Sequence, residues 1–509
     1  MASMMTTTPG KRRRSTVLIA ACLALLAGCA VGPDYVRPAG TLPLSYPPAP
    51  AVSAASFSVA PDTVASARDS ADSAQLLVAA AAVPVNWWEM FHSPALDALV
   101  GASLQHNPGV EAAQAALRVV RENALAQRGA FAPTIDASFM PSRQKVAGVL
   151  ASPLASNDYY YNLHTAQVSV SYAPDLWGGT RRQAESLSAQ AESQRYQVAA
   201  TRLALSANVV VAAIGEASLR GQLAATLQII AGQVRLLEMA RTQLALGQLG
   251  AADVALQQAA LAAAQAAAPL LAKQLAQQRN LLAALAGRMP ADGAGAAFEL
   301  AELQLPAALP LTLPSTLVEQ RPDVRAAEAL LHAASADIGV ARANRLPVVS
   351  LGVNAYGSSA GSLAQLFAPG TGFWSLAGSI VQPIFDGGTL KHRQGAAQAA
   401  YDQAAAQYRS TVLNAFQNVA DALQAIEYDA VAMRAAVDAQ RAAATSVAIA
   451  RRQLLLGDIS TLTLLGVEQA DQQARLNLVQ ARANRLADTV ALMLALGGGA
   501  WDDAQAGNR

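Results

Sequence analysis

The chain has 509 residues, of which 53% are hydrophobic, 14% charged and 5% aromatic, and its formal net charge is +1 at pH 7. An average soluble domain carries about 25% charged residues, so charge is scarce here, and the hydrophobic fraction excludes intrinsic disorder. The near-zero net charge gives no basic surface for nucleic acid. Alanine supplies much of the hydrophobic fraction, as in residues 259–264, and this strong helix former favours long, closely packed helices.

The N terminus has the pattern of a targeting segment. Four basic residues from Lys11 to Arg14 precede an apolar stretch over residues 15–26, and Leu26-Ala27-Gly28-Cys29 closes it. A short apolar stretch with these flanks predicts a cleaved signal peptide over residues 1–28. The last four residues resemble a bacterial lipobox, which implies a lipid on Cys29; an ordinary signal peptide that contains a cysteine is the alternative. Ala30 in place of an aspartate points to the outer membrane.

Cleavage would change both the charge and the thiol count. Removing four of the 36 basic residues and no acidic ones leaves 32 against 35, a net charge of −3. Cys22 leaves with the signal, which excludes a disulfide-stabilised secreted domain. The lipidated N-terminal region over residues 29–85 includes an Ala/Ser/Pro-rich segment, residues 47–84, that predicts a flexible tether.

The rest of the chain contains one unit twice. Pro108 and Pro322 lie 214 positions apart, as do Pro133 and Pro347. Two later landmarks keep nearly the same offset: Pro174 with Pro383 at 209, and Leu246-Gly247-Gln248-Leu249 with Leu456-Gly457-Asp458-Ile459 at 210. Self-similarity of this kind predicts a tandem duplication, with repeats over residues 86–300 and 301–499 and a C-terminal tail over residues 500–509.

Each repeat is predicted to run helix, strand, strand, very long helix, helix. The expected helices cover residues 93–129, 180–246, 252–287, 315–344, 389–456 and 461–497. A helix of about 67 residues rises roughly 100 Å and needs a partner along its length. Apolar residues with 3,4 spacing predict a coiled-coil seam in the second long helix: Phe416, Val419, Leu423, Ile426, Ala430, Met433 and Val437. Past the N terminus there is no uncharged run of 18 or more bulky apolar residues, so no later transmembrane helix is expected.

Four strands are expected, over residues 134–142, 165–173, 348–356 and 373–382. Apolar residues alternate with small or polar ones, as in Val168-Ser169-Val170, which is typical of half-buried strands. A length of about ten residues suits a tilted membrane-spanning strand, although a soluble four-stranded sheet fits the alternation equally well. In a bilayer every backbone group needs a partner, so copies must combine. Three copies give twelve strands, the smallest multiple that leaves a pore. Candidates for an interfacial aromatic girdle lie near the strand ends: Tyr159, Tyr160, Tyr161, Trp177, Phe373 and Trp374.

Several stretches resemble the TolC-like outer-membrane efflux factors, in particular their OprM/NodT-type lipoprotein subgroup. The matching stretches are Cys29 to Tyr35, Asn86 to Trp88, Leu99 to Pro108, Leu313 to Glu328, and Asn344 to Pro347. The resemblance implies an α+β membrane protein, a trimeric 12-stranded outer-membrane β-barrel with four strands per chain that continues into a 12-helix periplasmic α-barrel. It also implies three kinds of partner, namely two further copies of the chain, a periplasmic adaptor, and an inner-membrane pump, commonly of the proton-driven RND type.

By the same resemblance, the turns between long and returning helices form the periplasmic tip. Leu246, Gly247, Leu456 and Gly457 match the turn motif where adaptors dock. Asp458 matches an aspartate at the aperture, where three copies would concentrate negative charge; a solvated turn residue or a helix N-cap is the alternative. Family members often have another aspartate after Thr-Leu-Leu, but Gly466 follows that segment here.

Enzymatic interpretations find little support. The five histidines are scattered, without metal-ligand spacing: His92, His106, His164, His332 and His392. No Walker loop is present, so neither catalysis nor a cofactor is expected. Arg181-Arg182 and Arg451-Arg452 are interpreted as solvated faces or adaptor contacts. The sequence therefore favours a passive efflux duct for small toxic compounds, with the exit duct of a type I protein-secretion system or a non-conducting coiled-coil scaffold as alternatives.

Overall fold

A computed structural model describes residues 31–37, 75–79, 83–145, 160–293, 295–311 and 320–499. The predicted signal peptide, the lipobox with Cys29, Tyr159, the start of the predicted helix over 315–344 and the tail over 500–509 lie outside these residues. The same holds for most of the predicted tether, of which residues 75–79, 83 and 84 are described.

The described part of the chain contains six strands and seven α-helices. The strands are β1 (Leu76–Ala79), β2 (Thr134–Lys145), β3 (Tyr160–Tyr172), β4 (Ala308–Leu311), β5 (Val348–Ala360) and β6 (Gly372–Val381). The helices are α1 (Pro94–His106), α2 (Pro108–Gly129), α3 (Gly179–Ala245), α4 (Ala251–Leu285), α5 (Pro322–Ala343), α6 (Thr389–Leu456) and α7 (Thr461–Ala495). The repeated order of helix, two long strands, long helix and returning helix confirms the predicted duplication.

The prediction of one continuous first helix over residues 93–129 is wrong. The backbone of Asn107 is extended, which separates α1 from α2. Pro108 explains the break, because its ring disfavours helical geometry at the preceding residue and it has no N–H to donate. The side chain of Asn107 takes over as a local partner, accepting from the amide of Gly109 at 2.8 Å and donating to the carbonyl of Leu285 at 2.9 Å.

The chain divides into two compact units that cut across the repeats. Of the described residues, the first comprises 31–37, 117–145, 160–193 and 327–408, and the second comprises 75–79, 83–116, 194–293, 295–311, 320–326 and 409–499. Strands β2, β3, β5 and β6 belong to the first unit, whereas both turns between long and returning helices belong to the second.

The first unit contains an antiparallel sheet with the order β2-β3-β5-β6. Its central pair, β3 with β5, joins strands from the two repeats, so neither repeat forms the sheet alone. A register irregularity between Asn354 and Gly357 lies in β5. Glycine at 357 makes room for the Phe373 ring on β6, since a Cβ atom there would lie 2.3 Å from that ring.

The second unit has its own hydrophobic core. A short 3-10 helix, Trp87–Phe91, contributes its aromatic side chains to a core that helices α1, α3, α6 and α7 also supply. Strands β1 and β4 pair in parallel over four residues each. The buried Gln75 donates to Thr489 Oγ1 at 3.3 Å and accepts from Arg485 Nε at 3.2 Å. The prediction of a flexible tether is therefore wrong for residues 75–79, where strand pairing and buried hydrogen bonds fix the chain.

The predicted seam of α6 is confirmed. Val419, Ile426, Met433 and Val437 are buried, and the remaining seam residues are half-buried. By length and composition alone, α3 and α4 are each long and apolar enough to span a membrane. The apolar window of α3 is mostly buried, as in the core helix of a soluble protein, whereas little of the α4 window is buried.

Candidate functional site

One face of the four-stranded sheet carries polar side chains, many of them joined across neighbouring strands. Thr134 and Ser171 are paired through their hydroxyls at 2.7 Å, and Thr165 and Ser359 at 3.0 Å. The same face continues onto β6, where Ser350 pairs with Ser379 at 2.7 Å and Asn354 donates to Ser375 at 2.8 Å. This polar face of the sheet can line a water-filled space, because its groups bond to each other and to water alike.

The opposite face of the sheet is apolar. Its residues alternate with the polar set in every strand, as the register requires: Ile135, Phe139, Val168, Val170, Leu351, Val353, Leu376 and Ile380. Ile135, Leu376 and Ile380 are each at least 70% exposed. A soluble sheet would bury such a face, so this apolar face of the sheet suits contact with lipid.

The outer strands β2 and β6 each have one neighbour in the sheet. Both are long, at 12 and 10 residues, and their other edges present backbone N–H and C=O groups. Such groups inside a bilayer cost several kcal/mol each unless paired. The four strands therefore form one segment of a membrane wall, which closes only when other strands join both edges.

A second feature of the first unit is the segment just after the predicted lipidation site. Residues 31–37 run along α5: the Tyr35 ring stacks on His332 at 4.4 Å between centroids, and Arg37 forms an ion pair with Glu328 at 2.9 Å. Gly32, with φ of +122°, packs against Gly339, where a Cβ atom would lie 2.5 Å from the backbone. Burial raises the pKa of Tyr35 to about 12, with the negative charge of Glu328 adding to the effect.

This segment ends close to where the strands and helices meet. The amide of Val31 donates to the carbonyl of Trp177 at 3.0 Å, and the Trp177 indole donates to the carbonyl of Pro347 at 2.7 Å. Trp177 lies between β3 and α3, and Pro347 directly precedes β5. Residue 31 is thus held at the helical end of the strands.

Arg182 is the charged centre of this contact. Its guanidinium donates to Asp34 at 2.6 Å and to Glu185 at 2.8 Å, and the other oxygen of Glu185 lies 2.8 Å from His332 Nε2. Burial lowers the pKa of Arg182, but the two hydrogen-bonded carboxylates raise it by more. The interpretation of Arg182 as part of a solvated face is wrong, because its side chain is 7% exposed.

The second unit contains the two helical turns that the sequence singled out, and both have the same geometry. Gly247 and Gly457 have φ of +72° and +80°. The amides of Gly247 and Gln248 donate to Leu244 and Gln243. In the second turn the amides of Gly457 and Asp458 donate to Leu454 and Gln453 in the same way. These are paired C-terminal bonds that need a left-handed residue, which explains glycine at both positions.

The remaining predicted tip residues are solvent-accessible. Leu246 and Leu456 are 66% and 70% exposed, and Asp458 is exposed in its turn. The N-cap alternative for Asp458 is wrong, because Ser460 is the residue that caps α7 and accepts from the amide of Thr463 at 3.2 Å. The turns therefore present exposed leucines and one free-standing carboxylate to their surroundings.

Close to the second turn, Glu468 forms ion pairs with two arginines. Arg451 on α6 donates to it at 2.8 Å, and Arg235 on α3 lies 3.8 Å away. These contacts connect the first long helix to the second helical pair. Part of this could be predicted, because Arg451 lies eight residues before Ile459 and Glu468 eight residues after Ser460, opposite each other in an antiparallel pair. The contact of Arg235 has no such local signal.

A pair of carboxyl groups connects α6 with α7. Asp429 on α6 and Asp488 on α7 lie close enough to interact electrostatically, and Arg485 is nearby. Burial raises the pKa of Asp429 to about 7, the neighbouring carboxyl group of Asp488 raises it further, and the positive charge of Arg485 opposes the rise. Within the part of the chain that the structure describes, no group of three or more His, Cys, Asp or Glu residues is arranged to hold a metal ion.

The comparisons with known proteins agree with this geometry. The profile of the family described as "Outer membrane efflux protein" matches residues 99–288 and again residues 313–498. The toluene efflux pump outer membrane protein TtgC of Pseudomonas putida is 30% identical over 498 residues, covering 97% of this chain and 98% of TtgC. The outer membrane protein OprJ of Pseudomonas aeruginosa is 28% identical over 491 residues, covering 94% of this chain and 95% of OprJ.

Solved structures show the same fold. The outer-membrane channel OprN superimposes with a TM-score of 0.77 at 27% identity, covering 92% of this chain and 99% of OprN. The CmeC outer membrane channel of Campylobacter jejuni, at 20% identity, gives a TM-score of 0.80 and covers 94% of this chain and 97% of CmeC. The chain therefore belongs to the outer membrane efflux protein family and is an outer-membrane efflux channel protein with periplasmic helices.

Proposed function

We propose that three copies of this chain assemble into one continuous duct, which serves as the passive exit of a tripartite efflux system. The twelve strands would cross the outer membrane, and the helices would continue as a periplasmic barrel. An inner-membrane pump, of the RND type, would drive transport through a periplasmic adaptor. The pump would supply the energy for transport, and the duct itself would be passive.

The observation that carries this proposal is the pair of open edges on a two-faced sheet. Strands β2 and β6 lie at opposite edges, so β6 of one copy can pair with β2 of the next and repeat until the ring closes. Eight strands fill their interior with side chains, whereas twelve leave a lumen. The polar face then lines the lumen and the apolar face meets lipid.

The wall chemistry favours small, chemically varied cargo. The polar face is rich in hydroxyl and amide groups, and Asp136 is its only charged residue within the four strands. Such a lining offers no charge-selective site along most of its length. Relatives are named for toluene efflux, antibiotic efflux and pyoverdine export, which supports small toxic compounds or drugs as the substrate class.

The two turns are proposed as the periplasmic tip. Leu246, Gly247, Leu456 and Gly457 would contact the adaptor, because exposed leucines on a rigid turn provide apolar anchors. Asp458 would form a ring of three carboxylates at the aperture. Cys29 would carry a lipid in the outer membrane, close to residue 31 at the helical end of the strands.

Conductance in planar bilayers tests the proposal. Purified full-length trimers should give discrete channels, and a pure trimer that never conducts would favour the scaffold. Co-reconstitution with an RND pump and adaptor should carry a small dye across. Transport only with an ATP-driven protein-secretion pump would favour the type I alternative. Incorporation of an acyl label into a Cys29→Ser variant would refute lipidation at that residue.

A further inference from the structure

Strands β2, β3, β5 and β6 contain two lysine or arginine residues, and both lie at one end of β2. Arg143 and Lys145 are separated by one residue, and Lys145 is the last residue of the strand. An even placement of cations along the strands would suggest only general solubility. Their clustering at the C-terminal end of β2 instead places both positive charges at one height along the strands.

Both cations continue the apolar face rather than the polar one. Residues at positions i, i+2 and i+4 of a strand share a face, so Arg143 and Lys145 share theirs with Ile135 and Phe139. Across the β2–β3 pair, Arg143 lies opposite Asn162 and Lys145 opposite Tyr160. On this face of β2, the residues from Ile135 to Phe139 are apolar. Toward the Lys145 end, the face changes within a few residues to basic side chains, with an amide and an aromatic ring opposite them.

The level of this change matches the thickness of a membrane. Ten residues separate Ile135 from Lys145, which is about 34 Å along the strand and roughly 26 Å along the membrane normal at a tilt of about 40°. The apolar band of an outer-membrane barrel is about 25 Å tall. The helices attach at the Thr134 end of β2, so the Lys145 end is the extracellular one, and the two cations lie at the boundary of the outer leaflet.

Both cations are available to a ligand. Arg143 and Lys145 are exposed, and within the described ranges neither has a carboxylate partner. The Lys145 ammonium lies 5.2 Å from the centre of the Tyr160 ring, which holds the charge next to an aromatic residue suited to the headgroup region. Unpaired cations facing lipid are costly unless anionic headgroups neutralise them.

We propose that Arg143 and Lys145 form a binding site for the phosphate groups of outer-leaflet lipids. The guanidinium can donate two parallel hydrogen bonds to one phosphate, and the ammonium supplies a second charge about one strand repeat further out. Asn162 beside them offers a neutral donor. The site rests on the proposed barrel, since only there does this face meet lipid, and three copies would carry three sites around the wall.

Native mass spectrometry of the full-length channel with lipid A carrying two phosphates tests the site. An Arg143→Gln/Lys145→Gln variant should bind about thirtyfold more weakly, since each cation near an anionic surface contributes a factor of about five. The charge-preserving Arg143→Lys/Lys145→Arg variant should retain binding. A matched control removes two exposed cations at the helical end of the strands, Lys391→Gln/Arg393→Gln, and should bind like the wild type.

Three results would overturn the proposal. They are equal binding by the Arg143→Gln/Lys145→Gln variant, an equal loss in the Lys391→Gln/Arg393→Gln control, and undiminished binding of lipid A stripped of both phosphates. The same spectra report the trimer mass, and bilayer recordings report conductance. A channel that assembles and conducts but does not select phosphorylated lipid would fail this inference alone and leave the proposed function intact.

Discussion

Asp34 accepts a hydrogen bond from Arg182 at 2.6 Å, and this contact joins the segment after the predicted lipidation site to the first long helix. The two side chains differ in their surroundings, since Asp34 is 92% exposed and Arg182 only 7%. An exposed carboxylate contributes little to stability by itself. Loss of a buried guanidinium costs more, because the groups that it hydrogen-bonds lose their partner.

We therefore expect Arg182→Gln to release the segment over residues 31–37. Loss of the guanidinium removes its hydrogen bonds to Asp34 and Glu185 and leaves Glu185 only its contact with His332, a change that costs about 3 kcal/mol. Hydrogen–deuterium exchange at the Val31 amide should rise by at least about a hundredfold. Asp34→Asn should cost about 0.5 kcal/mol and change exchange about twofold. Equal effects from the two substitutions would contradict the expectation that Arg182 contributes more than Asp34 to holding the segment.

The left-handed glycine in the second turn predicts that adding one methyl group there, in Gly457→Ala, destabilises the turn locally. Gly457→Ala must hold alanine at φ of +80°, which costs about 1–2 kcal/mol. Exchange of the Asp458 amide should become about tenfold faster. Gly466→Ala is the control, because Gly466 is helical and an added Cβ atom would meet no other atom within 4 Å; it should stabilise α7 by up to about 1 kcal/mol. Unchanged exchange in Gly457→Ala would argue against the left-handed turn.

The contacts of Glu468 predict a change in the resting channel. Glu468→Gln weakens its attraction for Arg451 and Arg235, and each exposed ion pair contributes about 0.2–1 kcal/mol. We expect these contacts to hold the tip closed, so the open fraction of single trimers at rest should rise about two- to fivefold in the variant. Glu238→Gln on α3 removes an exposed charge of the same kind and should leave the recordings unchanged. A rise of the same size in this control would point to net charge instead.

The carboxyl pair predicts a pH dependence of stability. The folded-state pKa of Asp429 is raised from 3.8 to about 7, so its contribution to stability is fully present below pH 4 and is lost as the pH rises through 7. The melting temperature should therefore fall between pH 5 and pH 8. Asp429→Asn keeps a neutral hydrogen-bonding group and should flatten this part of the profile. A variant as pH-sensitive as the wild type would place the titrating group elsewhere.

The aperture role of Asp458 predicts altered ion selectivity. In three copies, Asp458→Asn would remove three negative charges from the narrowest level, so the preference for K⁺ over Cl⁻, measured as a reversal potential in a salt gradient, should decrease. Gln248 occupies the equivalent position of the first turn, and Gln248→Asp should increase the preference. Reversal potentials that neither substitution moves would leave Asp458 a plain turn residue.

The long elements were predictable because their signals are local and repeated. The alternation of apolar and polar residues predicted that Val168 and Val170 share one face of the sheet. The absence of proline predicted that α3 and α6 run without a break, as they do for 67 and 68 residues. The left-handed turns followed from Gly247 and Gly457, since glycine is the residue that such a φ favours.

The remaining features depend on contacts between distant parts of the chain. Asp34 meets Arg182 across 148 positions, and Gln75 meets Arg485 across 410. No spacing or periodicity signals either pairing, and an Ala/Ser/Pro-rich composition concealed β1 within a predicted tether. Pro108 could have predicted the break at Asn107. The prediction of one continuous helix instead followed the helical pattern of apolar residues on both sides of it.

The open edges of β2 and β6 also bear on how the protein is made. A single subunit in the bilayer would leave a whole row of backbone groups unpaired at each edge, so insertion and assembly have to occur together. A subunit with one defective edge could still pair through its intact edge and would prevent the ring from closing. Defects confined to β6 should therefore be dominant when mutant and wild-type chains are produced in the same cell.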